Sequence, residues 1–383
     1  MIAFLINELD IRGGTHKQFL KLLEYTAART DDFYVVTKSV DLTKTYPGFQ
    51  PFKDRIRLFK PEGSGKGTFH TALAIRRNVK KLRNLTNDAD VINIHDQGFE
   101  LFLAAFKKKK TIWQINDLHA SFQVGCNKDS KQSWKTALIR KLIQYNSKYI
   151  NRFTVNVSKN RTRIFEAFNR NADVLYCGIE PVGIKRDIST SLQRFNEKKL
   201  NILSSGVFFP YRNYETQVNV VSRLATDGID VHLNIIGSTD LNPAYSQKIR
   251  DLIIEKGLEK RITICGMVDE VKFKQLHNDS DVFMFINIDQ SWGLAVFEAM
   301  SCGLPVFVSE SVGATEILSD GIDAIFVNPT DADQIAEKIE DLMNDSDKYQ
   351  GLCVSGEAFH HDYTWDKAYS QPMYAILTDE NDE

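Results

Sequence analysis

Cysteine is scarce in this sequence and never forms a Cys-x-x-Cys pair. The five cysteines are odd in number and far apart in the chain, at Cys126, Cys177, Cys265, Cys302 and Cys353. A disulfide framework needs paired cysteines, and a structural zinc site usually draws on closely spaced ones. Both classes are therefore disfavoured, and a reduced, cytoplasmic compartment is the simplest interpretation.

Long apolar runs are also missing: no stretch approaches the roughly 18 apolar residues of a membrane-spanning helix. The N-terminal MIAFLINEL is apolar but has no basic leader and no small-residue cleavage site, and it leads into a glycine turn at Gly13–Gly14. We therefore interpret it as a first core strand rather than a signal peptide. The 383 residues, 43% of them hydrophobic, predict two globular domains.

The small net charge of −2 hides a strong asymmetry. Residues 1–190 hold 33 Lys and Arg against 18 Asp and Glu, whereas the remainder holds 15 against 32. The basic half suits an anionic membrane surface or a phosphorylated lipid, and attraction between the two halves is the alternative. No segment matches a nucleic-acid-binding module, so no nucleic-acid partner is expected. We expect a cytoplasmic protein that contacts the inner face of the membrane peripherally.

Short apolar runs alternate with amphipathic stretches twice along the chain, which predicts two Rossmann-like α/β domains. The predicted strands of the first series are 2–6, 33–37, 55–59, 90–95, 111–115 and 152–158, and those of the second are 200–206, 231–237, 261–266, 282–287, 304–309 and 324–328. We place the N-terminal domain at 1–183, a polar linker without apolar periodicity near 183–198, and the C-terminal domain at 199–362. An aromatic helix over 363–377 has no strand to join in the second domain, so we expect it to return to the first.

The most informative stretch is 282–309, which reads strand, loop, short helix, glycine, proline, strand. Gly293 opens the predicted helix, and Gly303 ends it. The free N–H groups of a helix N-terminus above a parallel strand favour an anion. Glu298 lies five residues into this helix, where its carboxylate can accept hydrogen bonds from a ribose diol. Together these features predict a nucleoside diphosphate site.

This stretch resembles the signature of glycosyltransferase family 4, whose members have the GT-B fold of two Rossmann-like domains facing across a cleft. The resemblance is carried by Gln290, Ser291, Trp292 and Gly293, followed by EAMSCGLPV from Glu298. It extends to GGTHKQFLKLLEY (13–25), LYCGIEP (175–181), GVFFPYRNYE (206–215), ITICGMV (262–268) and VGATEIL (312–318). It implies transfer of a hexose from a UDP-sugar, such as UDP-glucose, to a glycan or lipid-linked saccharide in polysaccharide biosynthesis. The anomeric configuration would be retained.

The resemblance also implies roles for single residues. Arg212 would neutralise the leaving diphosphate, Glu298 would bind ribose, and Gln290 would lie near the hydroxyls of the donor sugar. The remaining residues expected to bind the donor are Gly13, Gly14, Asn213, Gly266, Met267, Val268, Gly293 and Leu294.

Three positions depart from the family pattern. Gln290 replaces a glutamate, Val207 an arginine and Asn116 a histidine on the acceptor side. Because an amide cannot serve as a carboxylate nucleophile, a double displacement through Gln290 is excluded. The remaining mechanism is front-face transfer, in which the leaving phosphate helps to deprotonate the acceptor. Asp117 is the candidate base on the acceptor side.

We expect no cofactor and no catalytic metal. The Asp-x-Asp strings at Asp88 and Asp279 precede strands, whereas a catalytic pair should follow one. The string at Asp331 falls at a predicted helix start, where acids suit the helix dipole. Two alternatives to a transferase stay open: a non-hydrolysing nucleotide-sugar epimerase with the same architecture, and a non-catalytic nucleotide-sugar binder.

Overall fold

The computed structural model describes residues 1–63, 68–117, 119, 122, 134–288 and 292–379, with residues 68 and 69 described by their backbone only. The chain divides into two compact units. The first consists of residues 1–178 with 365–383, and the second of residues 179–364. We refer to them as the N-terminal and C-terminal domains.

The N-terminal domain is built on a seven-stranded sheet of order β3-β2-β1-β4-β5-β6-β7, and every neighbouring pair is parallel. The strands are β1 (Ile2–Leu9), β2 (Phe33–Val40), β3 (Ile56–Leu58), β4 (Val91–His95), β5 (Lys110–Ile115), β6 (Arg152–Val155) and β7 (Ala172–Val174). The helices are α1 (Gly14–Ala27), α2 (Thr68–Leu85), α3 (Trp134–Asn146), α4 (Ser158–Phe168) and, at the end of the chain, α12 (Gln371–Thr378). The sequence did not predict β7.

The segment after residue 365 packs against the N-terminal domain. The Tyr374 ring lies 5.8 Å from the Tyr25 ring of α1. The Nζ of Lys110, at the start of β5, donates to the carbonyl oxygen of Leu377 at 3.2 Å. These contacts attach the last helix, α12, to helix α1 and to strand β5.

The C-terminal domain has a six-stranded parallel sheet of order β10-β9-β8-β11-β12-β13. The strands are β8 (Lys199–Ser205), β9 (Asp230–Ile236), β10 (Ile262–Gly266), β11 (Val282–Phe285), β12 (Val306–Ser309) and β13 (Ile325–Val327). The helices are α5 (Ile188–Asn196), α6 (Tyr214–Thr226), α7 (Pro243–Glu255), α8 (Glu270–Asp279), α9 (Leu294–Met300), α10 (Ala332–Met343) and α11 (Ser346–Phe359). Two parallel α/β domains confirm the predicted fold class.

Helix α5 lies where the sequence analysis expected an irregular linker. Its apolar residues Ile188, Leu192 and Phe195 recur at helical spacing and pack on the core of the C-terminal domain. The Asp187 carboxylate caps the helix by accepting from the backbone N–H of Ser189 at 3.0 Å. The sequence analysis missed this helical spacing of apolar residues because charged residues surround them.

In the described part of the chain, no helix combines the length and apolar character required to cross a bilayer.

Candidate nucleotide-sugar site

Three glycines lie at the carboxyl ends of the adjacent strands β8, β9 and β10: Gly206 and Gly237 follow β8 and β9, and Gly266 is the last residue of β10. The N–H of Gly206 donates to Ile236 at 2.8 Å, and the N–H of Gly237 donates to Gly266 at 2.9 Å. A Cβ at Gly237 would lie 1.9 Å from the Gly206 carbonyl oxygen, so only glycine permits this approach. The edge is thus a tightly linked backbone surface with little side chain over it.

Arg212 lies directly over this surface. A short 3-10 turn, Pro210–Arg212, follows β8, and a Cβ at Gly206 would come within 2.8 Å of the Arg212 guanidinium carbon. The guanidinium carbon is also 5.5 Å from the centroid of the Phe285 ring at the end of β11. Its buried Nε has no hydrogen-bond partner among the described residues. A buried donor without a partner is costly, which favours an anionic ligand here.

Gly293 adjoins the same aromatic ring. It precedes α9 with φ of +93°, and a Cβ there would lie 3.0 Å from the Phe285 ring and 3.0 Å from Val312. Arg212 and the start of α9 are therefore both adjacent to Phe285. The first N–H groups of α9, including that of Leu294, have no intrahelical acceptor, as at the start of any helix.

Glu298 is half-buried in α9, five residues after Gly293. At 1.5 Å per residue this separation is about 7.5 Å along the helix axis. That distance suits a carboxylate that binds a ribose while the helix start binds the attached diphosphate.

The other residues of the C-terminal domain that were predicted to bind the donor differ in exposure and in hydrogen bonding. Gly266 ends β10 with φ of +67°, and Met267 beyond it is 76% exposed, with Val268 half-buried. The Asn213 amide donates to the carbonyl oxygens of Ile286 and Pro329 at 3.2 and 2.6 Å. Asn213 therefore fixes the turn that carries Arg212, and its direct contact with the donor stays a prediction. Gln290 lies outside the described residues.

The N-terminal domain has its own polar edge. Gly13 caps α1 without a side-chain hydrogen bond, and Gly14 is the first helical residue. Asp96 follows β4 with φ of +62°. Its carboxylate accepts from the backbone N–H groups of Asn116 at 3.2 Å and Asp117 at 3.3 Å. Burial, together with the negative charges of Asp117 and Glu100, raises the pKa of Asp96 to about 7.

Asn116 is buried in a network of amides rather than presented to a ligand. Its Nδ2 donates to Gln18 at 2.8 Å and to Thr15 at 3.3 Å, and its Oδ1 accepts from Gln114 at 2.9 Å. The side chain of Asp117, the predicted base, is exposed beside this network. The structure thus singles out Asp96, which the sequence analysis did not assign to the site, by its raised pKa. Its position directly after a strand was the signal available in the sequence.

In each Asp-x-Asp string, at least one carboxylate forms a contact within its own domain. Asp88 pairs with Arg57 at 2.8 Å, Asp281 binds Arg194, and Asp331 caps α10 by accepting from the N–H of Gln334 at 3.0 Å. Within the described ranges, no group of three His, Cys, Asp or Glu side chains is placed to hold a metal ion.

Residues 186–353 match the sequence model of the family described as glycosyl transferases group 1. No curated protein matches the chain.

Solved structures match over nearly the whole chain. HepE of Anabaena, crystallised with UDP, is 15% identical with a TM-score of 0.77, and the match covers 99% of each chain. A glycosyltransferase from Rickettsia africae is 14% identical with a TM-score of 0.76, covering 100% of this chain and 99% of its own. WaaG, a glycosyltransferase involved in lipopolysaccharide biosynthesis, is 14% identical with a TM-score of 0.71, covering 99% and 100%. At these identities the likeness establishes the shared fold.

Proposed function

We propose that the protein transfers a hexose from a UDP-sugar with retention of configuration, because residues 186–353 match the family of group 1 glycosyltransferases and the chain has the GT-B fold. The acceptor is a glycan or a lipid-linked saccharide on the cytoplasmic side of a membrane. One observation carries the proposal: Arg212 lies over the glycine edge, its Nε has no hydrogen-bond partner among the described residues, and both Arg212 and the start of α9 adjoin Phe285.

The donor would lie along the carboxyl edge of the C-terminal sheet. Its diphosphate would accept from the Arg212 guanidinium and from the N–H groups of Gly293 and Leu294. Its ribose would bind Glu298, and its base would lie near the loop 266–268. UDP is favoured among nucleotides because HepE was crystallised with UDP and with UDP-glucose.

The transfer itself is proposed to proceed on one face of the sugar. The bond between the anomeric carbon and the diphosphate oxygen breaks as the acceptor oxygen bonds to that carbon, and the acceptor proton passes to the departing phosphate. Arg212 neutralises the charge that develops on the diphosphate, and this stabilisation is worth more in a site from which water is excluded. The reaction needs no metal in this scheme, so activity should survive EDTA.

The acceptor hydroxyl is proposed to bind at the polar edge of the N-terminal domain. Asp117 offers an exposed carboxylate there, and Asp96 offers one whose pKa of about 7 allows either protonation state near neutral pH.

A panel of nucleotide sugars tests the function directly. Calorimetry should show that UDP and one UDP-hexose bind, with nucleotides of other bases bound at least tenfold more weakly. Product analysis by NMR should then show an α-linked product from an α-linked donor. Conversion of the donor into an altered sugar nucleotide without any acceptor would instead identify an epimerase. Binding of UDP without turnover on any acceptor pool would identify a non-catalytic binder.

A further inference from the structure

Helix α3 of the N-terminal domain has one buried side and one exposed side. Ile143 is fully buried in the core of the domain, and Ile139 packs against the same core. These residues orient the helix, because positions four apart share a face. The opposite face is left to solvent, and its composition is unusual for a solvated surface.

Five exposed residues form a single stripe on this face: Trp134, Leu138, Lys141, Tyr145 and Lys148. Their spacings of four, three, four and three residues follow the helical period into the turn after α3. Trp134 is 62% exposed, Leu138 49% and Tyr145 65%. Soluble surfaces normally scatter such side chains singly, so three in one stripe indicate a binding surface. We call these five residues the α3 stripe.

Basic residues predominate in the sequence of the α3 stripe and of the segment that follows it, up to Glu166. No Asp or Glu occurs from Trp134 to Phe165, whereas eight Lys and Arg do. The Lys148 ammonium lies 3.6 Å from the centroid of the Tyr145 ring. The hydrogen bond from Lys148 and the charge of Lys107 lower the pKa of Tyr145, which places Lys107 near the same face. The surface is therefore apolar at its centre and cationic at its border.

We propose that the α3 stripe is a docking surface for an anionic lipid bilayer. A helix that presents aromatic and aliphatic side chains among lysines lies in the plane of the membrane interface, with the apolar side chains among the acyl chains and the ammonium groups at the phosphates. The long stems of Lys141 and Lys148 reach past the rings to the headgroups. The exposed Leu138 favours a lipid surface over a nucleic-acid site. A nucleic-acid site would use stacking rings and cations but gain little from an aliphatic side chain.

This inference deepens the proposed function, because a lipid-linked acceptor would be met at such a surface. It rests on the proposed function only for the reason why the protein would bind a membrane, not for the binding itself. Bilayer binding can be measured without donor or acceptor, and UDP binding can be measured without lipid, so the two proposals fail separately.

The test is vesicle binding by the full chain, followed by tryptophan fluorescence. Vesicles of phosphatidylcholine with 30% phosphatidylglycerol, a composition of about one anionic lipid in three, are compared with phosphatidylcholine alone. The other three tryptophans are 3–5% exposed, so a blue shift on binding reports mainly Trp134. We expect binding and a blue shift with anionic vesicles, and much weaker binding with neutral vesicles or in high salt. W134F should keep most of the binding and lose the shift.

Two double variants and a matched control complete the design. W134S/L138S should abolish detectable vesicle binding, and K141Q/K148Q should weaken it by about 25-fold, at about fivefold for each lysine near an anionic surface. The control I254S/K256Q removes an exposed apolar residue and a lysine from the C-terminal domain and should bind as the unmodified chain does. All variants should bind UDP equally and show the same thermal transition.

Three results would overturn the proposal: no binding to anionic vesicles, equal loss in the control, or stripe variants that bind vesicles normally. Binding of a DNA or RNA oligonucleotide with the same blue shift, in a chain that ignores vesicles, would assign the surface to nucleic acid instead.

Discussion

The two domains have the same kind of sheet edge and use it in opposite ways. In the C-terminal domain the edge is bare glycine backbone, covered by a single guanidinium whose Nε has no partner among the described residues. In the N-terminal domain the edge is crowded with amides and hydroxyls that bond to one another around Asn116. The first edge leaves the buried Nε of Arg212 without a partner, whereas the second bonds largely to itself, with the Nε2 of Gln18 unpartnered among the described residues. The second edge also holds one carboxyl, that of Asp96, whose pKa is raised. Similar topology therefore supports a charged ligand in one domain and neutral, hydroxyl-bearing chemistry in the other.

The sharpest way to break this comparison is to remove the guanidinium. Arg212→Ala should lower kcat by about 100- to 1,000-fold, the usual effect of deleting one donor to a developing oxyanion. UDP affinity should fall much less, because the charge on the leaving group grows in the transition state. Steady-state kinetics with the donor identified by the panel would measure both. Arg250→Ala, an exposed arginine of the same domain, should be silent; an unchanged kcat in Arg212→Ala would remove this residue from the mechanism.

The ribose contact gives the next largest effect. Glu298→Ala should weaken UDP binding by about 10- to 100-fold, since a hydrogen bond to a charged group is worth about 1.5–3 kcal/mol. Calorimetry with UDP and with uridine should show a loss for both ligands, because both carry the ribose. A loss confined to UDP would mean that Glu298 acts on the diphosphate side instead.

Backbone conformation at the C-terminal edge can be tested with a pair of glycines. Gly293→Ala and Gly257→Ala both place an L-residue at positive φ, and each should lower the free energy of unfolding by about 1–2 kcal/mol. Only Gly293 adjoins Phe285, whereas a Cβ at Gly257 meets nothing. Denaturation should thus give a loss in Gly293→Ala at least as large as that in Gly257→Ala, and UDP calorimetry should show reduced affinity in Gly293→Ala alone. Equal UDP affinity in both variants would separate the start of α9 from the donor site.

The smallest expected effect concerns the N-terminal edge. The pKa of Asp96 is about 7 in the folded chain and about 3.9 when unfolded. Between these values the unfolded chain binds fewer protons, so stability should fall as pH rises from 4 to 7. Asp96→Asn, which keeps the shape, should remove this dependence and gain about 1–2 kcal/mol at pH 8, a value reduced for partial exposure to water. Urea denaturation across this pH range measures it; an unaltered pH profile would show that Asp96 ionises normally.

The sequence predicted most elements because each strand of a doubly wound sheet is a short apolar run that stands out between amphipathic helices. It failed at α5, where Asp187, Arg194 and Glu197 surround three correctly spaced apolar residues. It also missed β7, which has only three residues. Short elements are stabilised by their neighbours more than by their own pattern, and this information is not local to the chain.

The candidate site divides in the same way. Residue type and order along the chain, with the family resemblance, predicted that a glycine-started helix, a carboxylate five residues into it and a loop arginine belong to one nucleotide-sugar site. These are local facts, since φ preferences and helix spacing act over a few residues. Only the tertiary structure decided that Phe285 adjoins both Arg212 and Gly293 and that the Asn116 side chain bonds within a buried network. It also decided that burial raises the pKa of Asp96. These outcomes depend on which strands become neighbours and on how much water their packing excludes, and both are properties of the assembled domain.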